Sequence, residues 1–225
     1  MKSLLFTIFL TIAFLELAAQ KCGSLYFSSG KKTIQLASYT KRGDDDGQIV
    51  YKISNISVKG NTSSSQINVQ IFDKLQKLIG SNICNVKCNG NILLLDMKFF
   101  LPQQQIEQFK NAAIKEKAAF LEYPIALQPG DKLKDGIFEM EADKNGLELI
   151  LKMEITERAV AGKEKVSTSA GAWDCFVIKS TTKLSIKTGP ISIPIQFETT
   201  EWFNPSAGII KTTNSTGYTE IVAIN

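Results

Sequence analysis

Apolar and polar residues alternate with a period of two along most of this chain. "QINVQIF", Gln66 to Phe72, sets Ile67, Val69 and Ile71 against Asn68 and Gln70. "GLELILKMEI" places Leu147, Leu149, Leu151, Met153 and Ile155 on one face, and "ISIPIQFE" repeats the pattern with Ile191, Ile193, Ile195 and Phe197. Side chains of a strand point alternately to its two faces, so this spacing predicts half-buried antiparallel strands. Turn-forming residues separate them: Gly43 to Gly47 (GDDDG), Asn89-Gly90, Asn145-Gly146, Gly189-Pro190 and Asn204 to Gly208 (NPSAG). Neighbouring runs therefore form hairpins in a meander. Pro194 has no backbone donor, which puts its strand at an edge or at a bulge.

One segment departs from the pattern. After Pro102, "QQQIEQFKNAAIKEKAAF" is rich in helix formers, with Ile106, Phe109 and Ala113 on an apolar stripe and Glu107, Lys110 and Lys117 facing water. It predicts one amphipathic helix lying over an opening or a face of the sheet. The strand after Ala170-Gly171 also stands out, because Trp173, Cys175 and Val177 fall on one face while Phe176 and Ile178 fall on the other. Both faces of that strand call for cover, from a helix or as the lining of an apolar cavity. The expected fold class is mainly β: an antiparallel curved sheet or half barrel with one amphipathic helix.

The first twenty residues read as a secretory signal peptide. They hold one lysine, an apolar run from Leu4 to Leu15, and small residues at Ala18 and Ala19, with cleavage after Ala19 or Gln20. The run is shorter than the roughly 20 residues of a spanning helix. Ala19, Gln20 and Lys21 before Cys22 are not the small neutral residues that a lipid-attachment site requires. Residues 21–225 are expected to form a single domain with no transmembrane segment, exported to the periplasm or beyond. The net charge of +4 is spread without a basic run, which argues against a nucleic-acid partner.

Export makes disulfides the default for Cys22, Cys84, Cys88 and Cys175. Cys84 and Cys88 sit in "NICNVKC", and extended they would lie roughly 13 Å apart, beyond the ~7 Å limit for a bridge. Four cysteines allow three pairings; geometry weighs against the one that joins Cys84 to Cys88 unless that strand bulges, and longer-range bridges are favoured.

The chain contains no histidine. This removes Ser-His-Asp and Cys-His catalysis in their usual forms and most mixed zinc sites. Asp44-Asp45-Asp46-Gly47 lacks the spaced ligands of a calcium loop and is read as a solvated hairpin tip. Asp131, Asp135, Glu139, Glu141 and Glu201 are candidates for a hydrolytic carboxylate pair, but their spacing selects no two of them. They read as solvent-facing charges, and no cofactor is expected.

Several segments together resemble a known family. "YTKRGDDDGQIVYKI", "CNGNILLLDMKFFLP", "LEYPIALQPGDKLKDGIFEM", "ERAVAGKEKVSTSAGAWDCFVIKST" and "EWFNPSAGIIKTTNSTG" occur in the order seen in the DUF3108-like proteins, including those called TapB. Most specific are a turn-strand motif from Glu164 to Cys175, which includes Ala170, Gly171 and Trp173, and a segment from Glu201 to Lys211, which includes Trp202, Pro205 and Gly208. Ser169 stands where that family often has proline, and Cys84 is extra. The resemblance implies an exported bacterial protein, mostly of Bacteroidetes-type bacteria, with a half barrel akin to the LolA/LolB lipoprotein carriers and no established activity.

The combined expectation is a non-catalytic exported protein that binds a hydrophobic or lipid-like ligand, or a cell-envelope partner, on a curved sheet. The alternatives are a structural scaffold in an envelope complex and a carboxylate-dependent envelope hydrolase.

Overall fold

A computed structural model describes residues 27, 30, 32–102, 113–144 and 146–225. The first meander comprises β1 (Thr33–Thr40), β2 (Asp45–Lys59), β3 (Thr62–Phe72), β4 (Leu78–Asn89) and β5 (Ile92–Asp96). A short 3-10 turn (Met97–Phe100), β6 (Ala113–Glu116) and β7 (Phe120–Pro124) follow. The second meander comprises β8 (Gly136–Lys144), β9 (Leu147–Thr168), β10 (Gly171–Thr188), β11 (Ile191–Asn204), β12 (Gly208–Thr213) and β13 (Gly217–Ile224). The predicted turns fall at these strand junctions.

Pairing of β1 with β13 joins the two meanders, so all the strands form one sheet in the order β6-β8-β9-β10-β11-β12-β13-β1-β2-β3-β4-β5-β7. Its neighbouring strands pair antiparallel. The sheet does not close, because its edges, β6 and β7, form no ladder with each other. It does curl. The position of a Cβ on Gly136 of β8 lies only 2.5 Å from Leu121 of β7 and 3.0 Å from Met97, and Lys98 beside β5 reaches Glu116 of β6 at 2.5 Å.

The curl gathers the inward rows into one core. Ile67, Val69 and Ile71 of β3, Leu93 of β5, Leu149, Leu151, Met153 and Ile155 of β9, and Leu184 of β10 all belong to it. Burying each such side chain contributes roughly 1.5–3 kcal/mol, which outweighs any local preference within one strand.

Two expectations are corrected here. The C-terminal part of the predicted helix, residues 113–116, is instead strand β6, paired with β8 from Ala113↔Asp143 to Glu116↔Met140. Tertiary pairing overrides helix propensity there; Ile106, Glu107, Phe109 and Lys110 lie outside the described residues. Among the described residues there is no α-helix.

The second correction concerns Ile191, Ile193 and Ile195, whose alternation predicts a half-buried strand. They are exposed, by 62% and 58% for the first two. The reason is topological: β12 pairs with β11 only from Thr200 onward, so among the described residues the first half of β11 has a neighbouring strand on one side alone. That half is the edge that Pro194 predicts.

Candidate functional site

Three strands bring the buried side chains Tyr123, Arg158 and Glu201 together in the sheet's interior. The group forms around a bulge in β9. From Leu149 to Ile155 the odd-numbered residues face the core; Thr156 then pairs with Thr181 and Ala159 with Lys179, so Glu157 and Arg158 together oppose Ser180. Glu157 takes up the extra residue at φ 57°. The bulge reverses the phase of the strand and turns Arg158 inward, where it is 2% exposed.

Arg158 braces the place where the curled sheet meets itself. Its Nη1 donates to the carbonyl oxygens of Glu122 at 3.0 Å and Lys134 at 2.7 Å. Glu122 belongs to the edge strand β7, and such edge carbonyls otherwise need water or another partner. The guanidinium carbon lies 4.6 Å from the centre of the Tyr123 ring, a cation–π contact, and among the described residues Nε and Nη2 have no hydrogen-bond partner. Tyr123 stacks on Phe203 with centroids 4.9 Å apart, and its hydroxyl donates to Glu201 Oε2 at 2.8 Å.

Glu201 is 2% exposed, which corrects its reading as a solvent-facing charge. Burial pushes its carboxyl above the ordinary carboxylate range, and the Arg158 charge and the Tyr123 hydrogen bond pull it partly back. The Tyr123 hydroxyl is driven well above its usual value, by burial first and by Glu201 second, so it stays protonated as the donor. All three side chains are buried, and the cluster ties β7, β9 and β11 together across the core.

The other candidate carboxylates do not gather around Glu201. Asp131 and Asp135 are exposed in the segment before β8, while Glu139 and Glu141 project from the face of β8 opposite the buried Phe138 and Met140. Asp131 accepts the Gln128 backbone N–H, and Asp45 accepts that of Gly47 within the tip of the β1–β2 hairpin. Among the described residues, no three Cys, Asp or Glu side chains approach closely enough to hold a metal ion.

The cysteine expectation is corrected in part. Cys84 and Cys175 are free, buried thiols. Burial raises the Cys84 thiol far above its ordinary value and pushes that of Cys175 up to about 12, with Asp174 and Glu164 adding to the latter. Neither is a nucleophile at neutral pH. Cys22 lies outside the described residues.

The motif residues of the resemblance meet at one end of the sheet. Trp202 Nε1 donates to Glu164 Oε2 at 2.7 Å, and Asn204 Nδ2 donates to the Asp174 carbonyl at 2.9 Å, which joins the two motifs. Ala170 and Trp173 pack against the core. Gly171, at φ 138°, turns the chain into β10, and Pro205 lies in the turn from β11 to β12. Gly208, at φ 88°, lies against Phe27, whose ring stands 2.9 Å from where a Cβ would sit. Here β10 is covered on both faces, as its apolar residues require: Ile178 is buried on the core face and Cys175 and Val177 on the other.

Two solved structures share this architecture. A candidate exported protein with YmcC-like fold from Bacteroides fragilis is 19% identical, with 88% of this chain and 97% of that one covered at a TM-score of 0.71. A candidate lipoprotein from Parabacteroides distasonis is 15% identical, with 89% and 98% covered at a TM-score of 0.74. At these identities the likeness is one of fold. No curated protein matches the chain. The family model described as DUF3108-like matches residues 28–222, nearly the whole exported portion expected from the sequence, and the chain belongs to the DUF3108-like family.

Proposed function

We propose that this chain is an exported, non-catalytic binding protein that holds a hydrophobic, lipid-like ligand where the inner face of its sheet runs out onto β11. The observation that carries the reading is the exposed row of Ile191, Ile193 and Ile195. Ile193 stands directly opposite Ile186 and Ile195 opposite Leu184, both of them buried. The row therefore continues the face of the core into solvent, which marks an apolar contact surface. Pro194, in the middle of the open edge, offers no backbone donor and guards against strand addition. The side-chain face, rather than the edge, is left as the docking element.

Native mass spectrometry and lipid extraction of protein purified from its own host test this. A co-purifying apolar molecule is expected, and Ile193→Glu, at an exposed position, is expected to weaken binding of an environment-sensitive apolar dye about 10-fold by loss of roughly 1–2 kcal/mol of apolar contact. Absence of any bound molecule, together with unchanged dye binding in the variant, would overturn the reading.

Export carries a further expectation for the cysteines. With Cys84 and Cys175 free, Cys22 and Cys88 are the pair that an oxidising compartment joins. The expected result is no reaction of native protein with a thiol reagent, two reactive thiols per chain after denaturation, and a Cys22–Cys88 peptide in a non-reducing digest. Four thiols in the denatured exported protein would count against both the bridge and the compartment.

A further inference from the structure

On the opposite side of the first meander lies a depression of quite different chemistry. It has a volume of about 440 Å3 and is lined by Ser57, Lys59, Thr62, Ser63, Ser64, Lys87, Cys88, Asn89 and Leu94. The register explains how the lining is assembled. Ser57 stands opposite Ser64, Ser64 opposite Lys87, and Lys87 opposite Leu94, which forms one row across β2, β3, β4 and β5. Lys59, Thr62 and Asn89 form the next row, two residues along each strand and so on the same face. This is the outer face, since Cys84, Val86 and Cys88 between them point to the core. A bulge in β2 bends the ribbon at this point: Asn55 and Ile56 oppose Ser65 alone, with Asn55 at φ 48°.

The lining carries, among the described residues, two positive charges and no acidic residue. Among the described residues neither ammonium group is in an ion pair. Lys87 is oriented by the Phe120 ring, with Nζ 4.5 Å from its centre. Of the neighbouring polar side chains, the hydroxyls of Ser57 and Ser64 and the amide of Asn89 have a proton to donate. Thr62 Oγ1 donates its own proton to the Lys59 carbonyl at 2.8 Å and so offers none to a ligand. Two lysines among hydroxyl and amide donors complement an oxyanion, with the positive field as the attraction and the donors as the fit. The volume lies in the range of small-molecule sites and is far larger than a bare tetrahedral anion needs.

We propose that this depression binds an oxyanion of the phosphate or sulfate class, free or carried on a small hydrophilic molecule, with Lys59 and Lys87 supplying the charge and Ser57, Ser64 and Asn89 the hydrogen bonds. The site is separate from the isoleucine row, and it stands or falls independently of the lipid-like ligand.

Amide-resolved NMR titration of the full exported chain at constant ionic strength tests it, with inorganic phosphate, glucose 6-phosphate and glucose as probes and chloride as control. Binding in the range of about 1 mM is expected for so exposed a site. Shifts should be confined to residues 57–64 and 87–94, and Lys59→Met/Lys87→Met should weaken binding at least 10-fold while leaving the remaining spectrum in place. Ser64→Ala, which removes a donor and no charge, should weaken it about 3-fold. Equal affinity for inorganic phosphate and glucose 6-phosphate supports a free oxyanion as the source, and preference for glucose 6-phosphate supports a phosphorylated sugar. Glucose binding as tightly as its phosphate, shifts scattered over all lysines, or an unaltered affinity in the double lysine variant would each overturn the proposal.

Discussion

Arg158→Met is expected to cost about 3–5 kcal/mol of folding stability, the range found when one partner of a buried ionic group is removed. The loss has two parts. Deleting the guanidinium leaves the carbonyls of Glu122 and Lys134, which receive its Nη1 at 3.0 and 2.7 Å, without a buried donor; each such orphan costs roughly 1–3 kcal/mol. It also removes the positive charge that draws the raised Glu201 carboxyl back toward its ordinary value. Urea unfolding at neutral pH gives the measurement, and the melting temperature should fall by about 10 °C for a chain of this size. Arg158→Lys should fall between the two, because an ammonium group keeps the charge but lacks the planar fork. A loss below about 1 kcal/mol for Arg158→Met would show that the cluster does not hold the curled sheet together.

The path from sequence to this cluster shows where reading residues in order stops. Period-two alternation and the Gly, Pro and Asn turns identify the main strands, and hairpin connection alone orders most of the sheet. Alternation reports that a row shares a face; it does not report whether anything covers that face. Ile67, Val69 and Ile71 are buried while Ile191, Ile193 and Ile195, in the same pattern, are not, because among the described residues β11 has no second neighbour along its first half. Glu201 was legible in principle. It is in phase with Ile195, Phe197 and Phe203, so its carboxylate belongs to the inner face, and only the habit of placing charges in water hides this. Arg158 was not legible. Its inward aim depends on the bulge at Glu157, and a non-glycine residue in the left-handed region leaves no mark in the sequence. Residues 113–116 carry good helix formers and pair with β8 all the same, which only the three-dimensional neighbourhood decides.

Glu201→Gln is expected to change stability in the opposite direction and to alter how stability depends on pH. Burial holds the folded-state carboxyl above its ordinary value, despite the Arg158 charge and the Tyr123 hydrogen bond. The folded chain therefore binds this proton more tightly than the unfolded chain. Stability falls as pH rises through the window from the ordinary glutamate value of about 4.3 to the raised one, and the penalty is fully present above it. Glutamine is neutral at every pH, and its side-chain oxygen still accepts from the Tyr123 hydroxyl that now bonds Glu201 Oε2 at 2.8 Å. The variant should match the parent below pH ~4 and exceed it at neutral pH, because its neutral amide escapes the penalty that the ionised carboxylate carries above the raised value. In the background of Arg158→Met the same substitution should gain more, because Glu201 has there lost the cation that offsets its burial. The double-variant cycle reads that difference directly as a coupling energy between the two positions. Equal pH profiles for parent and Glu201→Gln would mean that the carboxyl titrates in the folded chain as it does in water, and that its burial is relieved by solvent entering the seam between β7 and β11.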